Sequence, residues 1–132
     1  VEVYDFGNSP FSYTAEKVAG ETIVLTTTNG TKAMHLAQER AHQVIEGSFL
    51  NLSSVCNYLK KENKDVLLLC SGWKDNFNLE DTLFAGAVIE RVKSHFTIHC
   101  DSSLMAEQMY QLHKNDLKLN KKFSLTSEMM FN

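Results

Sequence analysis

The 132 residues suit one domain with a modest core, and 43% hydrophobic with 22% charged residues is the balance of an ordinary globular chain. A net charge of −3 at pH 7 argues against a nucleic-acid partner, which favours a basic face. No run approaches the roughly 18 apolar residues of a membrane span, and nothing in the first residues reads as a secretory leader. Cys56, Cys70 and Cys100 lack a CxxC spacing and each sits in an apolar pattern. They are expected to be reduced core residues of a cytoplasmic protein.

Residues 1–21 are irregular, with turn formers at Asp5-Phe6-Gly7-Asn8-Ser9-Pro10 and a single helical turn near residues 14–17 ended by Gly20. Residues 22–26 (TIVLT) are β-branched and apolar and predict a strand, broken at Asn29-Gly30. Met34, Ala37 and Ala41 predict a helix over 31–42. Val44-Ile45 is a short second strand ending at Gly47. Leu52, Val55, Cys56 and Leu59 mark one face of a helix, with Asn51 as its natural N-cap. Residues 66–70 read as a third, buried strand, followed by a loop over 71–78. Leu83, Phe84, Ala87, Val88 and Val92 predict the longest helix, about 79–94. Phe96-Thr97-Ile98 is a fourth strand, and Met105, Met109 and Leu112 place a last helix over about 102–115. The tail after Asp116 has no clear period. Four strand–helix units predict a single α/β domain, layered α/β/α. Its mostly parallel sheet would have strands at 22–26, 43–47, 65–70 and 96–99, each helix being a crossover connection.

Ligands of open α/β sheets bind beyond the carboxyl ends of the strands, which directs attention to four strand-to-helix junctions. At the first, Thr26, Thr27 and Thr28 precede Asn29, Gly30 and Thr31. Gly30 there permits a positive φ and a close backbone approach, and the helix start favours an anion. The ordinary alternative is a polar turn capped by Asn29 or Thr31. The second junction holds Ser48 and Asn51. The third carries Glu80 and Asp81 at the start of the longest helix, as Mg²⁺ ligands or as first-turn acids behind an Asn78 cap. Asp101, at the fourth, is a ligand or an N-cap, and Asp5 is a further carboxylate. His35 and His42 have no metal-ligand spacing and read as surface residues. Trp73 and Phe77 are expected to pack on the core rather than wall a pocket.

Four stretches together resemble the 2-phosphosulfolactate phosphatase family. They are Asp5-Phe6-Gly7-Asn8-Ser9-Pro10, then TTTNGTKA at 26–33, then GSFLNLS at 47–53, and, most distinctive, NLEDTLFAGA at 78–87. The resemblance spans about residues 1–112 and fades over 118–132. Family members are longer, with a first portion that supplies acidic residues to the site. With Val1 at its start, the chain is expected to be the C-terminal part of a longer phosphatase. The resemblance implies an α/β fold and Mg²⁺-dependent hydrolysis of phosphate monoesters of 2-hydroxy acids, in coenzyme M biosynthesis. It makes the four junctions one shared site and leaves open which carboxylate is nucleophile, base or metal ligand.

The chemistry of the residues assigns Thr27, Thr28, Asn29, Gly30 and Thr31 to phosphate, Ser48 and Asn51 to substrate, and Glu80 and Asp81 to Mg²⁺. Asp5, Glu80, Asp81 and Asp101 are the catalytic carboxylate candidates. The expected partner is a small anionic phosphate ester, with no nucleic acid and no membrane, and homo-oligomerisation is left open. The competing reading is a catalytically incomplete domain that binds an anion or packs as half of a larger assembly. A third is an enzyme of the same fold acting on another acid phosphate.

Overall fold

Helix α4, Leu79–Val92, is apolar nearly all round and lies at the centre of the molecule. Eight of its residues are buried, and Ala87 and Val88 are fully enclosed. The Asn78 side chain starts it, accepting from the backbone N–H groups of Glu80 (2.8 Å) and Asp81 (3.3 Å). Two of the orphan donors of the first turn are thereby satisfied. This computed structural model describes residues 5–7 and 9–116, so Asn8 of the first motif and the tail over 118–132 lie outside the described residues.

Two helices pack on α4. Helix α3, Leu52–Glu62, brings the predicted stripe of Leu52, Val55, Cys56 and Leu59 against Ala87, Val88 and Val92. It stops at Asn63, whose left-handed φ of 48° allows its N–H to reach the Leu59 carbonyl. Helix α5, Asp101–His113, crosses α4 where two small residues meet, Gly86 and Ala106. A Cβ on Gly86 would run into the Ala106 carbonyl. Lys93–Glu107 (2.5 Å) and Lys114–Glu90 (3.1 Å) flank that crossing. The remaining described helices are a 3-10 turn at Pro10–Ser12 and two α-helices, α1, Ala15–Val18, and α2, Thr28–Gln38, neither α-helix with a buried residue. No described helix is long and apolar enough to cross a membrane.

The predicted sheet is not there. Among the described residues there is no β-strand, and the bridge between Trp73 and Asn76 is isolated. The expected α/β/α layering around a mostly parallel sheet is therefore overturned: the chain is helical, with connecting segments in extended coil. Residues 22–26 and 65–69 keep apolar side chains exposed, Val24 at 88% and Leu67 at 85%. The reason is that a helix closes its hydrogen bonds within four residues, while an extended segment closes them only on a neighbour. β-branched composition describes fitness for a packed, pleated surface and does not create the neighbour. The period of two survives locally: Leu68 packs against both core clusters, while Leu67 and Leu69 point outward.

Three smaller expectations also change. Helix α2 begins at Thr28 and ends at Gln38, so Asn29-Gly30 lies inside its first turn instead of before it. Cys56 is buried, but Cys70 and Cys100 are exposed, because the extended segments that carry them are not enclosed. Trp73 and Phe77 are exposed and not packed in the core. His35 and His42 are on the surface, as expected.

Candidate functional site

The threonine-rich junction starts with Thr27 as N-cap of α2 in extended conformation. Its own hydroxyl makes no capping bond; instead, the Thr27 N–H donates to Thr31 Oγ1 at 3.4 Å. Gly30 has helical backbone, since the positive-φ glycines are Gly20 and Gly72. What it supplies is the missing side chain: a Cβ there would lie 2.8 Å from Thr27 Oγ1. Thr27 and Thr31 hydroxyls therefore lie at the α2 start, where the helix dipole favours an anion.

The third junction folds back on the first. Trp73 and Asn76 exchange backbone hydrogen bonds of 3.0 Å in each direction across Lys74 and Asp75. Both central residues are left-handed, at φ 51° and 59°, the geometry of a primed two-residue turn. Neither is glycine, and each such residue costs of order 1 kcal/mol. The turn aims Asp75 at Lys32 of α2, 2.5 Å away, and the Lys74 N–H at Asn29 Oδ1, 3.4 Å away. At its other end, Asp81 Oδ2 accepts from the Gly72 N–H (2.8 Å) and the Ser71 hydroxyl (3.2 Å). Asp81 is therefore engaged by the loop, leaving the α4 cap to Asn78. Glu80 is half-buried beside it.

The second and fourth junctions meet the same helix by other faces. Gly47 lies so close to the Phe84 ring that a Cβ would sit 2.5 Å from it. Phe49 meets Phe84 edge-on, centroids 5.6 Å apart. Asn51 occupies the N-cap position of α3 but makes no side-chain capping bond. It pins the preceding turn, accepting from the Ser48 N–H (2.7 Å) and donating to the Glu46 carbonyl (3.1 Å). At the fourth, Cys100 is the N-cap and Asp101 an exposed first-turn acid. Ser102 and Ser103 line a cavity of about 220 Å³ with Cys70, Phe77 and Thr82. Hydrogen bonds from the Ser102 and Ser103 hydroxyls hold the Cys100 thiol below its ordinary range, while burial pushes the Cys70 thiol up. Asp5 is exposed on the amino-terminal bend, whose contacts are local: Phe6 with Tyr13, Lys17 over Phe6, and the Tyr13 hydroxyl on the Gly7 carbonyl.

The structure thus joins residues 27–31 to the acidic start of α4 through the loop at 71–78. It hangs the Ser48–Asn51 turn on the middle of α4, and it leaves Asp5 and Asp101 exposed. No three His, Cys, Asp or Glu side chains gather as a metal site among the described residues. Glu80 and Asp81 are hard oxygen donors of the kind Mg²⁺ accepts, yet they make at most a two-carboxylate set. Sequence reasoning missed Lys32, Ser71, Gly72 and Asp75. Their only trace is a polar, Gly-containing loop, and nothing in it announces a partner 43 residues away.

The profile of the family described as 2-phosphosulpholactate phosphatase matches residues 1–130, further along the chain than the motifs reach. The chain belongs to that family. A relative from Thermotoga petrophila, named "Probable 2-phosphosulfolactate phosphatase", is 45% identical over 121 residues, covering 92% of this chain and 51% of its own length. Relatives of the same name from Caldanaerobacter subterraneus and Synechocystis are 41% and 36% identical, covering 89% and 86% of this chain and 48% of each relative. The chain spans about half the length of these family members. No solved structure matches it.

Proposed function

We propose that the chain carries the phosphate-gripping part of a phosphatase that hydrolyses the phosphate monoester of a small 2-hydroxy acid such as 2-phosphosulfolactate, in the cytoplasm and toward coenzyme M. The observation that carries the reading is the link between the threonine turn and the acidic start of α4 through residues 71–78. The family membership and the names of the relatives support it. Catalysis of phosphoryl transfer is mostly positioning and charge stabilisation. Here Thr27, Thr28 and Thr31 donate hydroxyl hydrogens to phosphate oxygens, and the α2 start contributes its dipole. Ser48 and Asn51 orient the rest of the substrate. Glu80 and Asp81 would hold Mg²⁺. The ion supplies neutralisation of the phosphoryl charge when bound.

The test is phosphate release against Mg²⁺ concentration, with a thermal melt of each variant, run on a full-length form that includes the N-terminal portion its relatives carry. Glu80→Gln and Asp81→Asn are expected to abolish Mg²⁺-dependent release while the protein stays folded, since an amide keeps the shape and removes the charge. If both variants keep the parent's rate and Mg²⁺ dependence, these acids are structural. A second reading, an incomplete anion-binding or assembly domain, is favoured by one observation: the described residues bring no third metal-ligating side chain to Glu80 and Asp81. Parent chain that binds phosphate and releases none would establish it.

A further inference from the structure

Helix α2 carries the threonine turn but has no buried residue, whereas α3 and α5 are fixed on α4 by apolar faces. Ala33, Met34 and Ala37 of α2 are half-buried, and its links to the loop that leads into α4 are polar. Lys32 Nζ meets Asp75 Oδ1 at 2.5 Å, and Asn29 Oδ1 accepts from the Lys74 N–H at 3.4 Å. The loop that supplies both partners is stiff on its own account. Its tip is a two-residue turn closed by paired 3.0 Å hydrogen bonds, and its stem is held to Asp81 through the Gly72 N–H. A Cβ on Gly72 would lie 2.7 Å from the Asn76 carbonyl, so the stem has no slack. The path from the α2 start to Asp81 thus runs through two polar links on the loop, of which the Lys32–Asp75 pair is the one that carries charge.

We infer that Lys32 and Asp75 are positioning residues. Their ion pair is a strut that holds the threonine turn at a set distance from the start of α4 and thereby sets the affinity for the phosphate group. This rests on the phosphatase reading above. Neither residue need touch the substrate; Asp75, an acid, would repel an anion if it did.

The test uses the whole chain with Asp75→Asn, Lys32→Gln and the reversed pair Lys32→Glu/Asp75→Lys. Two readouts are taken: KM and kcat for phosphate release from a phosphate monoester, and acrylamide quenching of Trp73, the sole tryptophan, which sits in the strut's loop. Each single variant is expected to raise KM about two- to fivefold, the factor of an exposed pair, with kcat unchanged and Trp73 more readily quenched. The reversed pair is expected to restore both. Unchanged quenching, or an unchanged KM in both single variants, overturns the strut. So does a reversed pair that restores quenching and leaves KM raised, because Lys32 would then act on the substrate itself. A full-length parent that releases no phosphate sinks the phosphatase reading alone. The strut is then judged on the Kd for inorganic phosphate, and a Kd equal in parent and single variants, or no binding at all, overturns it.

Discussion

Gly30 lies in the first turn of α2, beside the Thr27 hydroxyl. Its expected value was a positive φ, but its backbone is helical, and its use is the absence of a Cβ 2.8 Å from Thr27 Oγ1. Two effects then oppose each other in Gly30→Ala. Helix propensity favours alanine, though by less than the roughly 1 kcal/mol of a helix interior because Gly30 is in the first turn, and the new methyl displaces a hydroxyl at the end of a side chain that can rotate away. Stability is expected to stay level or rise, while phosphate affinity falls because Thr27 no longer faces the turn. A thermal melt with a phosphate titration checks both, and unchanged affinity would show that the Thr27 hydroxyl has no part in the site. Asp81 is a parallel case. Its first-turn position was legible and its partners were not, because Ser71 and Gly72 reach it only through the fold of the loop.

At the scale of elements, the three core helices were readable from spacing alone. Leu52, Val55, Cys56 and Leu59 form the buried stripe of α3, and Asn78 caps α4 as its position suggested. Helix α2 starts three residues before the expected position, because Asn29-Gly30 is accommodated in its first turn instead of breaking the chain ahead of it. A glycine in the first turn costs little where the helix start is otherwise provided. The α4–α5 crossing offers the sharper test. Propensity alone predicts that Gly86→Ala stabilises α4 by about 1 kcal/mol. The added methyl meets the Ala106 backbone, which cannot swing aside. Overpacking of this kind costs typically 1–3 kcal/mol, so the net effect is expected to be destabilising, read as a lower urea midpoint. A rise in the midpoint would mean that the helices separate easily at this point.

Over the whole molecule, the apolar residues of the extended segments divide between inside and outside. Leu68 lies against both core clusters and Leu67 is 85% exposed, although the two are adjacent and chemically identical. Leu67→Ala is expected to shift stability by less than about 0.5 kcal/mol, and Leu68→Ala to cost about 2 kcal/mol, the lower end for a core leucine. Equal losses from the two substitutions in urea unfolding would place Leu67 in the core as well. The same comparison separates composition from environment: an apolar run identifies residues able to be buried, and packing decides which of them are.

Local spacing and ordered motifs suffice for the helices α3, α4 and α5, the cap at Asn78, the surface position of His35 and His42, and membership of a phosphatase family. Each of these depends on residues within a turn or two of one another, or on motifs that keep their order along the chain. Tertiary structure alone decided that Lys32 meets Asp75, that Asp81 is taken by Gly72 and Ser71, and that the segments at 22–26 and 65–70 run extended without a ladder. A helical hydrogen bond closes on a residue four places away, whereas an ion pair across 43 residues, or a strand's whole set of bonds, exists only where the rest of the chain puts a partner.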